Sequence, residues 1–305
     1  MMYNKVLVTG GTGFVGRRLK KIKPEWTYMS SSDCDLTNKE RLQEYLSDLK
    51  PDAVVHLAAR VGGIKEASEN QSEFYYLNTL INMNVVHECY KVGVKRLLSC
   101  LSTCCFPDVF DRYPMIEDDL MKGEPAITNY CYGYSKRNLF LQSKWYAKEK
   151  NVCYNAFTPS NIYGPENTFD LDKSHFISSM IRKIVEADDG SEVVFWGTGN
   201  ALRQHLYVDD LAQIMPTLLE KHVSEMPLIV APDENLSIKQ IIDKFLKISQ
   251  KDVKVVFSGV LEGQHRKDAS NKNLKDLMGG FNFTNLDDGL KTTYDWYCQN
   301  KEKDE

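Results

Sequence analysis

No Cys-x2-Cys pair occurs among the eight cysteines, and no His-x3–5-His spacing among the six histidines. Those absences remove the common zinc-ligand patterns. Cys100, Cys104 and Cys105 cluster, but nothing completes a ligand set, so no metal is expected. No charged-then-apolar leader precedes Lys5–Val8, and the cysteine spacings are irregular. Reduced thiols in a cytosolic protein are therefore expected rather than a disulfide framework. Long hydrophobic runs are missing too. Val54–Ala59 is among the longest, far short of the roughly 20 residues that cross a bilayer. There is no excess of positive charge: 38 Lys and Arg face 42 Asp and Glu, a net of -4. A nucleic-acid role has no electrostatic support. With 18 Gly and 10 Pro in 305 residues, collagen and low-complexity chains are excluded as well. What remains is ordinary: 42% hydrophobic and 26% charged residues, enough for one large α/β domain and a smaller lobe.

Short β-rich runs alternate with helical patterns in the first half, the mark of a parallel sheet with crossover helices. Strands are expected at Lys5–Val8, Trp26–Met29, Asp52–Leu57, Lys95–Ser99 and Asn155–Thr158. Helices are expected at Lys39–Leu49 (capped by Thr37), Phe74–Lys91 and Tyr132–Lys150. After Gly164-Pro165 helices predominate: Phe176–Glu186, Asp209–Lys221, Ser237–Gln250 and Leu286–Asn300, with brief strands at Val193–Trp196, Met226–Val230 and Val253–Phe257. The expected fold is a Rossmann-type, doubly wound parallel sheet with a smaller α/β C-terminal lobe. Residues 1–165, completed by roughly 205–235, would form the dinucleotide-binding domain. Residues 166–204 and 236–305 would form the substrate lobe.

The first strand runs into Gly10-Gly11-Thr12-Gly13-Phe14-Val15-Gly16. Glycines there let the backbone approach a pyrophosphate, whose charge sits on the next helix N-terminus. The strand–loop–helix context makes this otherwise weak array informative. The second strand ends in Ser30-Ser31-Ser32, where an acid would bind the free 2′-hydroxyl of NAD, and Asp33 follows. Neutral hydroxyls there, with Arg17 or Arg18, tilt the reading toward NADP(H).

Tyr132 and Lys136 stand four residues apart on one helix face. A lysine ammonium beside a phenol favours phenolate and can bind a nicotinamide ribose. Ser102, ending the preceding strand, would bond the same substrate oxygen. Tyr-x3-Lys alone is common by chance; behind a nucleotide loop and a strand-end serine it reads as a reductase.

At this point the residues resemble the extended short-chain dehydrogenase/reductases, and among them the GDP-L-fucose synthase family. The likeness runs from Gly10 to Trp296. It is most specific at His56–Ile64, Cys100–Pro107, Pro159–Pro165 and Trp196–Asn200. Cys104-Cys105 replaces the Asp-Glu pair of sugar-nucleotide dehydratases. The resemblance implies NADPH-dependent 3,5-epimerisation and 4-reduction of GDP-4-keto-6-deoxy-D-mannose, with Ser102, Cys104, Tyr132, Lys136 and His175 catalytic. Only one of the adjacent thiols of Cys104 and Cys105 should face the sugar, because neighbours on extended backbone point oppositely. For the cofactor it implies Gly10, Gly13, Phe14, Val15, Gly16, Ser30, Asp35, Leu36, Leu57, Ala58, Ala59, Tyr132, Lys136, Pro159, Asn161, Ile162 and His175. For the substrate it implies Asn161, Lys183, Trp196, Arg203 and Lys267, the last as a nucleotide-side contact, and for assembly a homodimer joined by Phe74–Lys91 and Tyr132–Lys150. One departure stands out: Glu166-Asn167-Thr168 where the family commonly has His-Asp-Asn. It leaves open a reductase, with or without epimerase activity, for another NDP-4-keto-deoxy sugar. A nucleotide-binding sensor without catalysis is the reading from outside enzymology, and both Tyr132 and Lys136 speak against it.

Overall fold

A computed structural model describes residues 3–260 and 263–301. The last four residues of the expected substrate lobe, and positions 261 and 262 within it, lie outside the described residues. β1 (Val6–Thr9), α1 (Phe14–Ile22), β2 (Thr27–Met29), α2 (Lys39–Leu49), β3 (Ala53–His56), α3 (Ile64–Glu69), α4 (Gln71–Lys91), β4 (Arg96–Cys100), α5 (Tyr130–Glu149) and β5 (Cys153–Pro159) alternate as the sequence suggests. Then follow β6 (Asn161–Tyr163), α6 (Phe176–Glu186), β7 (Glu192–Phe195), β8 (Leu202–Arg203), β9 (His205–Tyr207), α7 (Val208–Lys221) and β10 (Leu228–Val230). The chain closes with β11 (Leu236–Ser237), α8 (Ile238–Ser249), β12 (Lys254–Phe257), β13 (Arg266–Lys267), α9 (Lys272–Met278) and α10 (Leu286–Asn300).

Six parallel strands form the central sheet in the order β10-β5-β4-β3-β1-β2. β1, β3 and β10 are buried along their whole length, as expected for strands covered by helices on both faces. One apolar layer gathers Leu42, Leu46, Val85, Val86, Leu139 and Phe140 from α2, α4 and α5. The opposite layer gathers Leu19, Leu211, Met215, Leu218 and Leu274 from α1, α7 and α9. A third core, around Ile181, Phe195, Phe245 and Tyr297, lies among α6, β7, α8 and α10. Strand order reverses between β1 and β3, so their carboxyl ends open the crevice where such sheets take ligands.

One local expectation is corrected. Asn38, not Thr37, caps α2: its Oδ1 accepts from Arg41 N at 3.0 Å, while Thr37 turns its hydroxyl to Asp35. The short β6, β8, β9 and β13 and helices α3 and α9 carry too little periodicity to read from sequence.

Candidate active site

At the crevice, Gly10 adopts φ +69° and Gly13 starts α1 with no side-chain cap. A Cβ on Gly10 would lie 2.8 Å from Ala58 N, and one on Gly16 would lie 2.5 Å from Gly10 O. Glycine alone tolerates both the conformation and the closeness. The first N–H groups of α1, those of Phe14, Val15 and Gly16, stay open to an anion. Leu57, Ala58 and Ala59 leave β3 beside this loop, and Ser30, Asp35 and Leu36 follow β2. Pro159 ends β5, and Asn161 and Ile162 lie in β6. The residues present fit a dinucleotide.

The ribose end differs from expectation. Asp33 does fold back: Ser30 donates to its Oδ2 from both N (2.8 Å) and Oγ (2.6 Å), and these bonds hold the carboxyl below its usual range. Arg17 and Arg18 are drawn to Glu166 instead of reaching toward β2. Arg17 donates to Thr12 O (2.6 Å) and Glu166 O (2.5 Å). Arg18 forks onto Asp209 (2.6 Å through both Nε and Nη2) and reaches Glu166 at 2.9 Å. Lys21 also grips Glu166. This departure from the family pattern therefore has a structural partner set: Glu166, at φ +68°, ties the loop after β6 to the cofactor helix.

At the catalytic end, β4 delivers Cys100 and Ser102 to a turn of 3-10 helix, Thr103–Cys105. The turn, rather than extended backbone, separates the two thiols. Cys105 is fully buried, with Sγ donating to Ser102 O at 2.7 Å and its pKa pushed up to about 12 by burial. Cys104 stays partly accessible and receives a hydrogen bond from Lys267 Nζ at 3.0 Å. Burial works to raise the Cys104 pKa, yet Lys267, Ser102 and Arg203 together bring it below the ordinary thiol value.

Tyr132 does not follow the simple phenolate expectation. Burial first, then Cys104 and its neighbouring thiols, hold its pKa well above 10, with only Ser102 opposing. Lys136 cannot offset this, because its ammonium donates to Cys100 O at 2.8 Å and stands 5.8 Å from the Tyr132 ring centroid. The phenol is kept protonated. Lys136 itself is lowered by burial.

His175 caps α6 and keeps an accessible imidazole face although protein surrounds it closely. That crowding, then Lys267, lowers its pKa. Lys267 therefore stands within electrostatic reach of both Cys104 and His175. The remaining expected substrate residues lie in α6 (Lys183), just after β7 (Trp196), in β8 (Arg203) and in β6 (Asn161). Lys183 donates to Val194 O at 3.0 Å and lies over the rings of Phe195 and Trp196, 5.5 and 5.8 Å from their centroids. Trp196 is 42% exposed, leaving an indole face for a ligand. Arg203 pairs in register with Lys267. Asn161 donates to Gln204 O at 3.0 Å.

Sequence reasoning missed a buried chain of polar groups beneath the site. Thr9 Oγ1 meets His56 Nδ1 at 2.7 Å, His56 Nε2 meets Asn82 Oδ1 at 3.0 Å, and Asn82 donates to Ser135 O at 3.2 Å. It links the cofactor strand to the helix carrying Tyr132 and Lys136. Burial, then Lys136, depresses the His56 pKa to about 3, so the imidazole is neutral. A lone histidine inside an apolar strand was the available signal. His205 was missed as well; burial, then Arg203 and His175, lowers it to about 3.

The NAD dependent epimerase/dehydratase family model matches residues 6–230. The chain is 35% identical to a GDP-L-fucose synthase of Dictyostelium discoideum, over 97% of this chain and 96% of that one. It is also 35% identical to a probable GDP-L-fucose synthase of Drosophila melanogaster, over 97% and 98% of the two chains. A GDP-L-fucose synthetase structure from Naegleria fowleri, bound to NADP, superposes with a TM-score of 0.90 at 31% identity, covering 98% of this chain and 94% of that one. The chain belongs to the NAD dependent epimerase/dehydratase family and, within it, to the GDP-L-fucose synthases.

Proposed function

We propose that the protein is a bifunctional enzyme that epimerises GDP-4-keto-6-deoxy-D-mannose at C3 and C5 and reduces it at C4 to GDP-L-fucose, with NADP(H) as cofactor. One observation carries this reading: Tyr132, Cys104, Lys267 and His175 interact in sequence across one site beside the glycine loop. A reductase alone has no use for a thiol held next to its tyrosine, or for a lysine that acts on both that thiol and an imidazole.

The 4-keto group acidifies the C–H bonds at C3 and C5. Cys104, as thiolate, takes a proton from one of these carbons, and takes one from the other after it has lost the first to solvent and His175 has regained its own from solvent. Tyr132 and Ser102 donate to O4 and stabilise the enolate charge that develops there. His175, as imidazolium, returns a proton to the opposite face. Bound NADPH supplies hydride to C4, and Tyr132 then gives its proton to O4. Lys136, fixed by Cys100 O, orients the cofactor ribose beside the phenol. Residues 166–204 and 236–305 form the substrate lobe in this reading. Lys183, Arg203 and Trp196 hold the nucleotide end there, where cations suit a diphosphate.

Incubation with GDP-4-keto-6-deoxymannose and NADPH in deuterated water is expected to give product deuterated at C3 and C5. Reduced product without deuterium there would remove the epimerase and leave a 4-reductase; no turnover of this sugar would leave a reductase for another NDP-4-keto-deoxy sugar. That alternative draws on Glu166-Asn167-Thr168.

The working unit is a homodimer joined through α4 and α5. These helices expose Tyr75, Tyr76, Met83 and Trp145, the last two at 53%, an apolar set that a second copy would cover. Tyr76→Glu with Trp145→Glu should sediment as monomer; a monomeric wild type would remove the dimer from the proposal. The compartment is the cytosol, in keeping with eight cysteines that are all free. Cell fractionation tests it. Among the described residues no helix is long and apolar enough to cross a membrane.

A further inference from the structure

We propose that Lys267 is a positioning residue that holds Cys104 as a thiolate, so that the epimerising base exists only while the C-terminal lobe presses β13 against the turn after β4. The proposal rests on the reading of Cys104 as that base.

β13 is a strand of only two residues, and its parallel pairing with β8 sets Lys267 opposite Arg203. Cross-strand partners share a face of a sheet, so two cations from one lobe meet a thiol supplied by the other. Lys267 is 8% exposed. An ammonium taken out of water is tolerated only when a partner replaces the lost hydration. The carboxylate next in sequence, Asp268, is committed elsewhere: Arg266 grips it through Nε (2.6 Å) and Nη2 (3.0 Å). The acceptor facing Lys267 Nζ is Cys104 Sγ at 3.0 Å. A thiol is a weak acceptor and a thiolate a strong one. The pair is therefore satisfied when the sulfur has lost its proton.

Other groups around the sulfur divide. Arg203 from β8 and the Ser102 hydroxyl favour the anion, as does Lys267 itself. Burial opposes it. Tyr132 and Cys105 bring no stabilising charge while protonated. His175, at the N-cap of α6, feels the same lysine, which adds to burial in lowering its pKa. Lys267 thus has a chemical task beyond contact with a nucleotide.

The experiment follows Cys104 alone, without sugar nucleotide. Iodoacetamide alkylation rates at Cys104 are measured by peptide mass spectrometry from pH 5 to 10 in wild type, Lys267→Met and Lys267→Arg. Wild type is expected to show a midpoint below that of a free thiol. Lys267→Met should raise it by at least one pH unit, cutting the rate at pH 7 about tenfold, and Lys267→Arg should keep most of the wild-type midpoint. An unchanged midpoint in folded Lys267→Met overturns the proposal. If that variant does not fold, the thiolate absorbance of wild type minus Cys104→Ser decides the matter: a midpoint at or above the free-thiol value overturns it, and a lower one supports it. A shifted thiol together with no deuterium in product would retain the ion pair and remove the epimerase. The two readings therefore fail separately.

Discussion

Tyr132 and Cys104 sit in one site and are shifted in opposite directions. Burial raises the phenol's pKa, while Lys267, Ser102 and Arg203 lower that of the thiol against its burial. The site thus holds an acid and a base of the kind that enolate chemistry followed by reduction requires. Tyr132→Phe should lower kcat for reduction by ~10²–10⁴, while cofactor binding, read by fluorescence titration, persists. Full turnover in that variant would dismiss Tyr132 as the acid. The pH dependence of deuterium exchange has a definite sign. Thiolate accumulates as pH rises and imidazolium disappears, so kcat/KM is bell-shaped. Both groups lie below their ordinary values of 9.0 and 6.5. The optimum should fall on the acid side of the midpoint between those values, and an optimum on the alkaline side would contradict the assignment. The sequence held Tyr132, Lys136 and Ser102 in plain view, because one helical turn and one strand end fix their relation. Cys104 and His175 came only with the family likeness. Lys267 could be seen as a cation but not as the partner of a thiol. That contact spans 163 positions and depends on a strand too short to show a period.

Elements that begin or end at glycine, proline or a buried alternation were legible: β1, the glycine loop, α2, α6 and α10 fall within a residue or so of expectation. The loop after β6 was not. Its Glu166 read either as drift or as the mark of a different 4-keto sugar, and the side chain is a junction of Arg17, Arg18 and Lys21 at 18% exposure. Burial opposes the charge, and Lys21 and then Arg18 more than compensate, holding the carboxyl below its usual pKa. Glu166→Gln keeps the shape and removes the charge. A partly buried junction of this kind is worth about 1–3 kcal/mol, so the melting temperature should drop by several degrees in low salt. In 1 M salt the gap between variant and wild type should narrow. Equal melting temperatures in low salt would show that the junction contributes nothing.

Across the whole molecule, neutral buried histidines set the response to acid. His56 and His222 are 1% and 3% exposed, with pKa values lowered by burial to about 3 and about 4. Each protonates near 6.5 once unfolded. Their stabilisation is therefore complete above pH 6.5 and is lost as pH falls toward the folded values. At pH 5 each costs about 2 kcal/mol. Urea unfolding should show the loss between pH 7 and pH 5; since His205 is likewise lowered to about 3, His222→Gln should remove about a third of it, and a flat profile would mean that none of the three imidazoles is held neutral. The α/β class followed from alternation, and residues 205–235 were expected to complete the first sheet, but the choice of β5 as the partner of β10 was not legible, because pairing partners far apart in sequence leave no local trace. That topology also sets a schedule for synthesis. β5 is complete at Pro159, while its outer neighbour begins at Leu228, roughly 70 residues later. At the ribosome's pace of about 5–20 residues per second, the sheet presents a bare hydrophobic edge for several seconds, the interval in which a nascent chain most needs shielding from its own kind.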